Sequence, residues 1–481
     1  MHKAPIHVGG PDKSNQASFS GIRERLLKGG SAQGFSQVVH IVIRLAEVPL
    51  LLTFWGTQLY GEWLMVSAIP SYLYICDGGF AMAACREMTI RGGAGDNKSV
   101  QSVFQSTWLL LIAISISTFL LTLALVNSTS LGSLLGFTVI NHSEVEWVLL
   151  LLIVHLLICF QGELLNGGFW VTGSYPRGMC FIAATQLIEF IGFAAIVMMG
   201  GKPVLAASGY LLGRLVGTGL MWFGQRRVNP WLRYGIKHAS FSAIKRLTTP
   251  ALSSLAFPLG NALNIQGMRL VVGLSLGPAA VAVFVPMRTL SRMIMQPGVI
   301  VNRLIEPELA FAYGAKDNSL LQHIFTKSCQ LALWGCAGVC LLVGIGAHWI
   351  FPVWTGGMVS IHWPSYLVLL GVVLINSIWY TALMVPYSSN RHGRIAPYYA
   401  LVYGVSAVGL GYIWAARFGL GGAALALLLV EAALAMVVIR AASHMANVPV
   451  LHWLRFILRP PLDLAGKAGS GLFRRTLTSK E

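Results

Sequence analysis

Apolar residues run in blocks about twenty residues long, parted by short polar stretches, along almost the whole chain. A block of that length crosses the hydrocarbon core of a bilayer as a helix. The helix is the form that satisfies its own backbone where there is no water. The pattern predicts twelve spans, at 34–55, 59–84, 103–126, 147–170, 179–200, 204–224, 249–272, 279–305, 328–347, 364–388, 395–416 and 419–440. The connections are short, the longest on the outer side being 127–146. The start of the chain is polar and lacks the apolar run of a cleavable signal peptide, so none is expected.

The pattern also repeats. A shift of 221 residues brings Gly56 onto Gly277, Glu87 onto Glu308, Gly93-Ala94 onto Gly314-Ala315 and Asp96-Asn97 onto Asp317-Asn318. The same shift brings Gln101 onto Gln322 and Phe104 onto Phe325, with no gap in the window. Six spans separate the two copies. An even number leaves both halves in the same orientation, so the repeat is parallel. The expected organisation is an N-terminal segment 1–33, a first lobe 34–225, a basic linker 226–248, a second lobe 249–442 and a basic tail 443–481. In that tail, Trp453, Leu454, Phe456, Ile457 and Leu458 mix with Arg455 and Arg459, a composition suited to an interfacial helix or to an ordinary basic tail.

Composition sharpens the class. The chain of 481 residues is 55% hydrophobic and 11% charged, with a mean hydropathy of +0.68. A soluble domain carries about 25% charged residues, so an all-α polytopic membrane protein is expected. The net charge of +17 is a topology signal. Most lysines and arginines fall in the termini and in alternate loops on one side, and only Lys202 and Arg417 fall in loops on the other. That bias places both termini in the cytoplasm. Basic residues spread along one rim argue against a nucleic-acid partner. The seven cysteines have no metal or redox spacing. Two Asn-x-Ser/Thr tripeptides, at Asn127 and Asn141, fit a glycosylation pattern that arises easily by chance.

The polar positions inside the spans carry the candidate chemistry. A charge at the centre of a span costs about 2.5–3.5 kcal/mol on insertion scales, so it faces protein or water. Gln37, His40, Arg44 and Glu47 share one helical face, as do Ser67, Pro70, Tyr74 and Asp77. The seventh span carries Asn261, Asn264 and Arg269 beside Pro250 and Pro258. The eighth carries Arg288, Arg292, Gln296, Arg303 and Glu306 on one stripe with Pro297. Such stripes suit a water-filled path. The first half sets Arg44 and Arg214 against Glu47, Asp77, Glu163 and Glu189; the second sets Arg269, Arg288, Arg292 and Arg303 against Glu306 and Glu431. Arginine forks suit phosphate oxygens, and buried carboxylates suit proton or cation coupling. Arg44, Arg269, Arg288, Arg292, Asn261 and Asn264 are therefore the candidate substrate-binding residues, and Glu47 and Asp77 the candidate coupling residues. Arg288 and Arg292, with no acid within a turn, are the leading pair. Several of these charges also fit plain neutralisation, Arg44 with Glu47 and Arg303 with Glu306 above all, and Asp77 also fits a helix terminus before Gly78-Gly79. His40 and His155 have no second ligand at metal spacing. No phosphate loop, nucleophile elbow, cofactor motif or paired catalytic motif occurs.

The run TQLYGEWLMVSAIPSYLYICDGGFAMAACREMTIRGGAGDN resembles the start of bacterial polysaccharide flippases, through Tyr60-Gly61, Trp63 and Asp77-Gly79. WTGG at 354–357 and FGLGGAALALLLVE at 418–431 are similar to an outer-loop segment and a last core helix of the same proteins. The resemblance covers about residues 30 to 442. It implies membership of the multidrug, oligosaccharidyl-lipid and polysaccharide exporter superfamily: two six-helix lobes, V-shaped around a central cavity, working by alternating access. It implies no enzyme and no cofactor. It implies translocation of an undecaprenyl-diphosphate-linked oligosaccharide across the bacterial inner membrane, for O-antigen, exopolysaccharide or capsule assembly. A polysaccharide polymerase and a chain-length regulator are the implied partners, besides membrane lipid and the lipid-linked glycan. The buried acids of the first half depart from a purely cationic cavity. The alternatives are a multidrug or small-molecule exporter of the same fold and, from another class, a membrane glycosyltransferase or polymerase, which the short outer loop with only Glu144 and Glu146 disfavours.

Overall fold

The computed structural model describes residues 13–73, 77, 79–128, 135–314, 317–389 and 391–461. The first residues of the N-terminal segment, Tyr74, Gly78, Ala315, the side chain of Arg303 and the tail beyond 461 lie outside the described residues. The described residues are helical nearly throughout: α1 Lys13–Leu73, α2 Phe80–Gly93, α3 Asn97–Ser128, α4 His142–Val171, α5 Tyr175–Met198, α6 Pro203–Val228, α7 Phe241–Ser254 and α8 Ala256–Ala262. A π-helix at Leu263–Gly267 leads into α9 Met268–Leu276, α10 Pro278–Met293, α11 Gln296–Gly314, α12 Asn318–Thr355, α13 Trp363–Ala382 and α14 Met384–Ser388. A second π-helix at Tyr399–Val405 opens α15 Ser406–Met445, and α16 Val450–Ile457 ends the described chain.

Among the described residues, eight helices are long and apolar enough to cross a membrane. Read at their breaks they account for ten of the twelve expected spans, and shorter helices make up the other two. The helix through α1 holds two spans joined at Gly56, and the helix through α15 holds two joined at Gly419. The seventh and eighth spans are each broken into shorter helices, at Leu255 and the π-helix in one and at Ile294-Met295 in the other. The sequence reads these two as single spans. Proline explains part of the difference: Pro258 and Pro297, just past the breaks at Leu255 and Ile294-Met295, each lack a backbone N–H and crowd the preceding turn. The chain is thus an all-α, multi-pass membrane protein of about twelve spans in two repeated halves.

The repeat is visible in the backbone. Gly56 adopts φ 72°, ψ 179°, and its counterpart Gly277 adopts φ 86°, ψ 166°, a region open essentially to glycine alone. Both sit where the first span of a half hands over to the second. Asp96 and Asp317 also match. Each lies just before a helix of its half and accepts a hydrogen bond from a first-turn N–H, Ser99 at 3.1 Å and Leu320 at 3.0 Å.

Contacts divide the chain into two compact units. One is Met1–Leu50, Cys76–Ser128 and Leu150–Ala251; the other is Leu51–Ile75, Thr129–Leu149 and Leu252–Glu481. The segments 51–75 and 129–149 therefore group with the second half, whereas the sequence lobes part at the linker. Gly61 shows why the first of them does so: a Cβ there would stand 1.9 Å from the carbonyl oxygen of Pro278. Its neighbours Tyr60 and Trp63 are buried, so the Tyr-Gly-x-Trp segment is a packing seam. Within the same unit, buried Glu62 gathers the outer loop, accepting from the backbone N–H groups of Thr138 at 2.8 Å, Val139 at 3.0 Å and Ile140 at 2.8 Å.

Candidate functional site

The second unit holds a cavity of about 670 Å³, in the size range of pockets for small organic ligands, roughly 300–1,000 Å³. Its elements are the broken ones: α8, the α10–α11 junction, α13, α14 and the second π-helix. Regular helices would fill this space with their own packing; breaks turn side chains into it.

One wall is aromatic. Phe257 lies 4.9 Å from Tyr399 between ring centroids, Tyr399 lies 4.8 Å from Tyr403, and Trp379 lies within 6.0 Å of both tyrosines. Tyr380 and Tyr387 extend it. The polar contribution comes from Asn261, Arg292, Asn302, Glu306 and Asn376. Asn302 is only 5% exposed, and neither end of its amide has a hydrogen-bond partner. A buried amide left unpaired costs about 1–3 kcal/mol, and a polar solute in the cavity can supply the missing partners.

Behind this wall Glu431 of α15, 2% exposed, fixes two of its members. Trp379 Nε1 donates to Glu431 Oε2 at 2.6 Å and Asn376 Nδ2 donates to the same oxygen at 3.1 Å. Glu431 is also within electrostatic reach of Arg292 and Arg288, and Arg292 is within electrostatic reach of Tyr403. The acid that balances the two arginines thus comes from a distant helix.

The two π-helices are cross-braced. A π-helix leaves carbonyls out of the α register. Arg288, 8% exposed, donates through Nη1 to the carbonyl oxygens of Asn264 at 2.9 Å and Ile265 at 3.4 Å, and through Nη2 to Asn264 Oδ1. Asn264 Nδ2 then donates to the carbonyl of Tyr403 at 3.0 Å. A Cβ on Gly260 would meet the ring of Tyr399 at 2.6 Å, so glycine permits this approach.

Of the residues expected from sequence, the cavity gathers Asn261 and Arg292. Arg288 and Asn264 stand behind it as braces. Arg269 is in the same unit, within electrostatic reach of Tyr72. Arg44, Glu47 and Asp77 belong to the other unit. There Asp77 accepts from the backbone N–H groups of Gly79 at 2.9 Å and Ala81 at 3.4 Å, at the start of α2. Glu47, Glu189 and Arg214 all act on Tyr210. Arg214 is ion-paired to Glu189 through Nε and donates from Nη2 to Oε2 at 3.3 Å, while His155 Nε2 stands 3.4 Å from the same carboxylate. Trp379, Tyr399, Tyr403, Asn302 and Asn376 are the cavity residues that the polar stripes missed. Apart from Asn302, their signal was aromatic density in NSIWY and PYYALVY, where a proline and an amide interrupt the apolar run. Among the described residues no group of acidic, histidine or cysteine side chains could hold a metal ion.

The described residues thus form a multi-pass helical protein with repeated halves and a mixed aromatic and polar cavity in its second unit. Solved structures place the fold more closely. The chain resembles an inward-facing multidrug resistance MATE family transporter of the MOP superfamily, with a TM-score of 0.68 and 15% identity over 86% of this chain and 94% of that one. It resembles the MATE multidrug transporter DinF-BH in complex with rhodamine 6G, at 0.65 and 13% identity over 89% and 97%. It also resembles a MOP superfamily transporter from Pyrococcus furiosus Vc1, described by a reverse polarity of its binding pocket, at 0.63 and 14% identity over 88% and 95%. The chain therefore has the MATE fold. No protein-family model and no curated protein matches its sequence.

Proposed function

We propose that this chain is a secondary transporter that exports an amphipathic organic solute, with the cavity of the second unit as its solute site. The observation that carries this reading is the composition of that wall: six aromatic rings face four amide- or carboxylate-bearing residues and one arginine across about 670 Å³. Ring faces hold planar or apolar bodies, and the buried, unpaired amide of Asn302 asks for a polar substituent. Structures of this fold include an inward-facing and an outward-facing conformation, which supports alternating access here. Arg292 disfavours a bare organic cation and favours a neutral or anionic group beside it. Glu47 and Asp77 of the other unit are the proposed coupling acids; Glu47, near Tyr210, is the better placed, because Asp77 already caps α2.

A second reading keeps the fold and changes the cargo to a polyprenyl-diphosphate-linked glycan. Arg292 together with Asn261, Asn302 and Asn376 favours it, since a guanidinium and amides suit diphosphate and sugar hydroxyls. The cavity's size fits only the part of such a headgroup nearest the diphosphate, so the small solute stands first.

The deciding experiment measures binding of an anionic aromatic dye, fluorescein, to the purified protein by fluorescence anisotropy, alongside the leaflet position of diphosphate-linked glycan in a deletion strain. For the exporter, wild type binds the dye and Trp379→Ala weakens binding about tenfold, the cost of one lost aromatic contact. Arg292→Ala then binds the anionic dye more weakly, because the opposite charge is gone. Glycan trapped on the cytoplasmic leaflet in the deletion, with no dye binding, moves the conclusion to the second reading. If neither is seen, both are wrong.

A further inference from the structure

In each half the chain leaves its sixth span and folds back onto the third. In the first half the clasp is residues 229–241, irregular up to the first residue of α7, Phe241. Gln101 Nε2 donates to the carbonyl of Arg233 at 2.5 Å, Gln101 Oε1 accepts from Arg233 N at 3.1 Å, and Gln105 Oε1 accepts from His238 N at 2.7 Å. Tyr234 packs on Phe104 and Trp108, with centroids 5.2 and 5.1 Å apart. In the second half, Asn447, in a left-handed turn at φ 53°, sends the chain from α15 into α16. Gln322 Nε2 donates to the carbonyl of Asn447 at 3.1 Å, Trp334 Nε1 to that of Ile457 at 3.1 Å, and Phe325 stacks on Trp453 at 5.4 Å. Gln101 and Gln322, and Phe104 and Phe325, are the pairs related by the repeat. The duplication thus extends to the docking of the segment after each sixth span.

These contacts use one face of each segment. Trp453 and Ile457 of α16 are buried, and so is Leu232 of the clasp. The other face of α16 is left with Leu451 and Leu458, 64% and 62% exposed, among exposed His452, Arg455 and Arg459. The clasp leaves Ile236 and Phe241, 73% and 79% exposed, among exposed Arg233, Lys237, Lys245 and Arg246. No acidic residue occurs in 226–247 or in 447–459. Large apolar side chains set among cations with no counter-charge suit the boundary between anionic headgroups and acyl chains. The connection from α15 to α16 is only four residues long, which keeps α16 at the membrane end of its span.

We propose that α16 and the clasp 229–241 are twin interfacial anchors that seat on the headgroups of anionic phospholipid, Leu451, Leu458, Ile236 and Phe241 dipping below the arginines and lysines. The first test is native mass spectrometry of the full-length protein in detergent titrated with phosphatidylglycerol or phosphatidylcholine. The expected result is preferential retention of phosphatidylglycerol, weakened about fivefold for each arginine removed in Arg455→Gln/Arg459→Gln and kept in Arg455→Lys/Arg459→Lys. The second is hydrogen–deuterium exchange of wild type in nanodiscs. Residues 450–460 and 233–241 should exchange more slowly with phosphatidylglycerol present than in phosphatidylcholine alone. Equal retention of the two lipids, or retention unchanged in the glutamine variant, overturns the proposal, as does exchange indifferent to lipid charge, which would leave this face for a protein partner. Inorganic phosphate added as a competitor should displace little lipid, and full displacement would reduce the site to one for free phosphate.

Discussion

Arg288 shows how a buried charge in a membrane protein can serve the backbone. Its guanidinium has no acid within a turn, yet it is not idle: it satisfies the carbonyls that the first π-helix leaves out of register, and Asn264 carries the brace on to Tyr403. Replacing it leaves buried carbonyls and the Asn264 amide without their donor. Arg288→Ala should therefore lower the thermal unfolding temperature in detergent, by an amount equivalent to about 2–4 kcal/mol, and should weaken solute binding only through the distorted cavity. Arg288→Lys, with a point charge in place of a fork, should recover part of the stability. Arg292 is the opposite case. It lines the cavity, and its loss should change which solute charge is accepted with little change in unfolding temperature. Measuring both variants by both assays separates brace from binder.

Glycines and caps set where the helices begin and end. Gly56 and Gly277 occupy the same positive-φ, extended region at corresponding joints. A β-branched residue there strains the backbone by about 1–3 kcal/mol. Gly277→Val is expected to lower the unfolding temperature, whereas Gly93→Ala, with open space around its added methyl, should not. Asp96 and Asp317 give a pH signature. Hydrogen bonds from Ser99 hold the Asp96 carboxyl below its usual range, and those from the Leu320 N–H and from Ser319 do the same for Asp317. A carboxyl with a lowered pKa contributes fully above the ordinary Asp value, about 3.9, and loses its contribution as pH falls through the lowered one. The first turns of α3 and α12 should stay protected from amide exchange down to about pH 4 and open below it, after correction for the intrinsic rate. Asp317→Ala should show the open behaviour of α12 at every pH.

Across the molecule, the arrangement of basic residues predicts both termini on one face of the membrane. A fluorescent protein fused at the C-terminus should fluoresce in cells, and alkaline phosphatase fused there should be inactive; the reverse pattern would invert the topology. The grouping of 51–75 with the second half is a property of the packed chain and not of its repeat. Gly61 against Pro278 supplies the physical contact, and Glu62 ties the outer loop to the same segment. Segments that resemble flippase motifs hold structure together: Tyr60 and Trp63 are core, Asp77 caps a helix, and Gly356 and Gly357 end α12 in left-handed turns.

The class, the number of spans, the parallel repeat and its glycine and aspartate joints were all legible in the linear order of residues. Each of these depends on local chemistry: an apolar block must be helical in lipid, a glycine permits a positive-φ joint, and a carboxylate caps the turn beside it. The same order placed Asn261 and Arg292 on polar stripes. Three-dimensional packing was needed to bring α13 and the second π-helix around them as a cavity, to balance the arginines with Glu431 from a helix far along the chain, and to turn Arg288 to carbonyls instead of solute. Those outcomes depend on which helices break and on what packs across the break, and periodicity along one helix carries no information about the helix opposite.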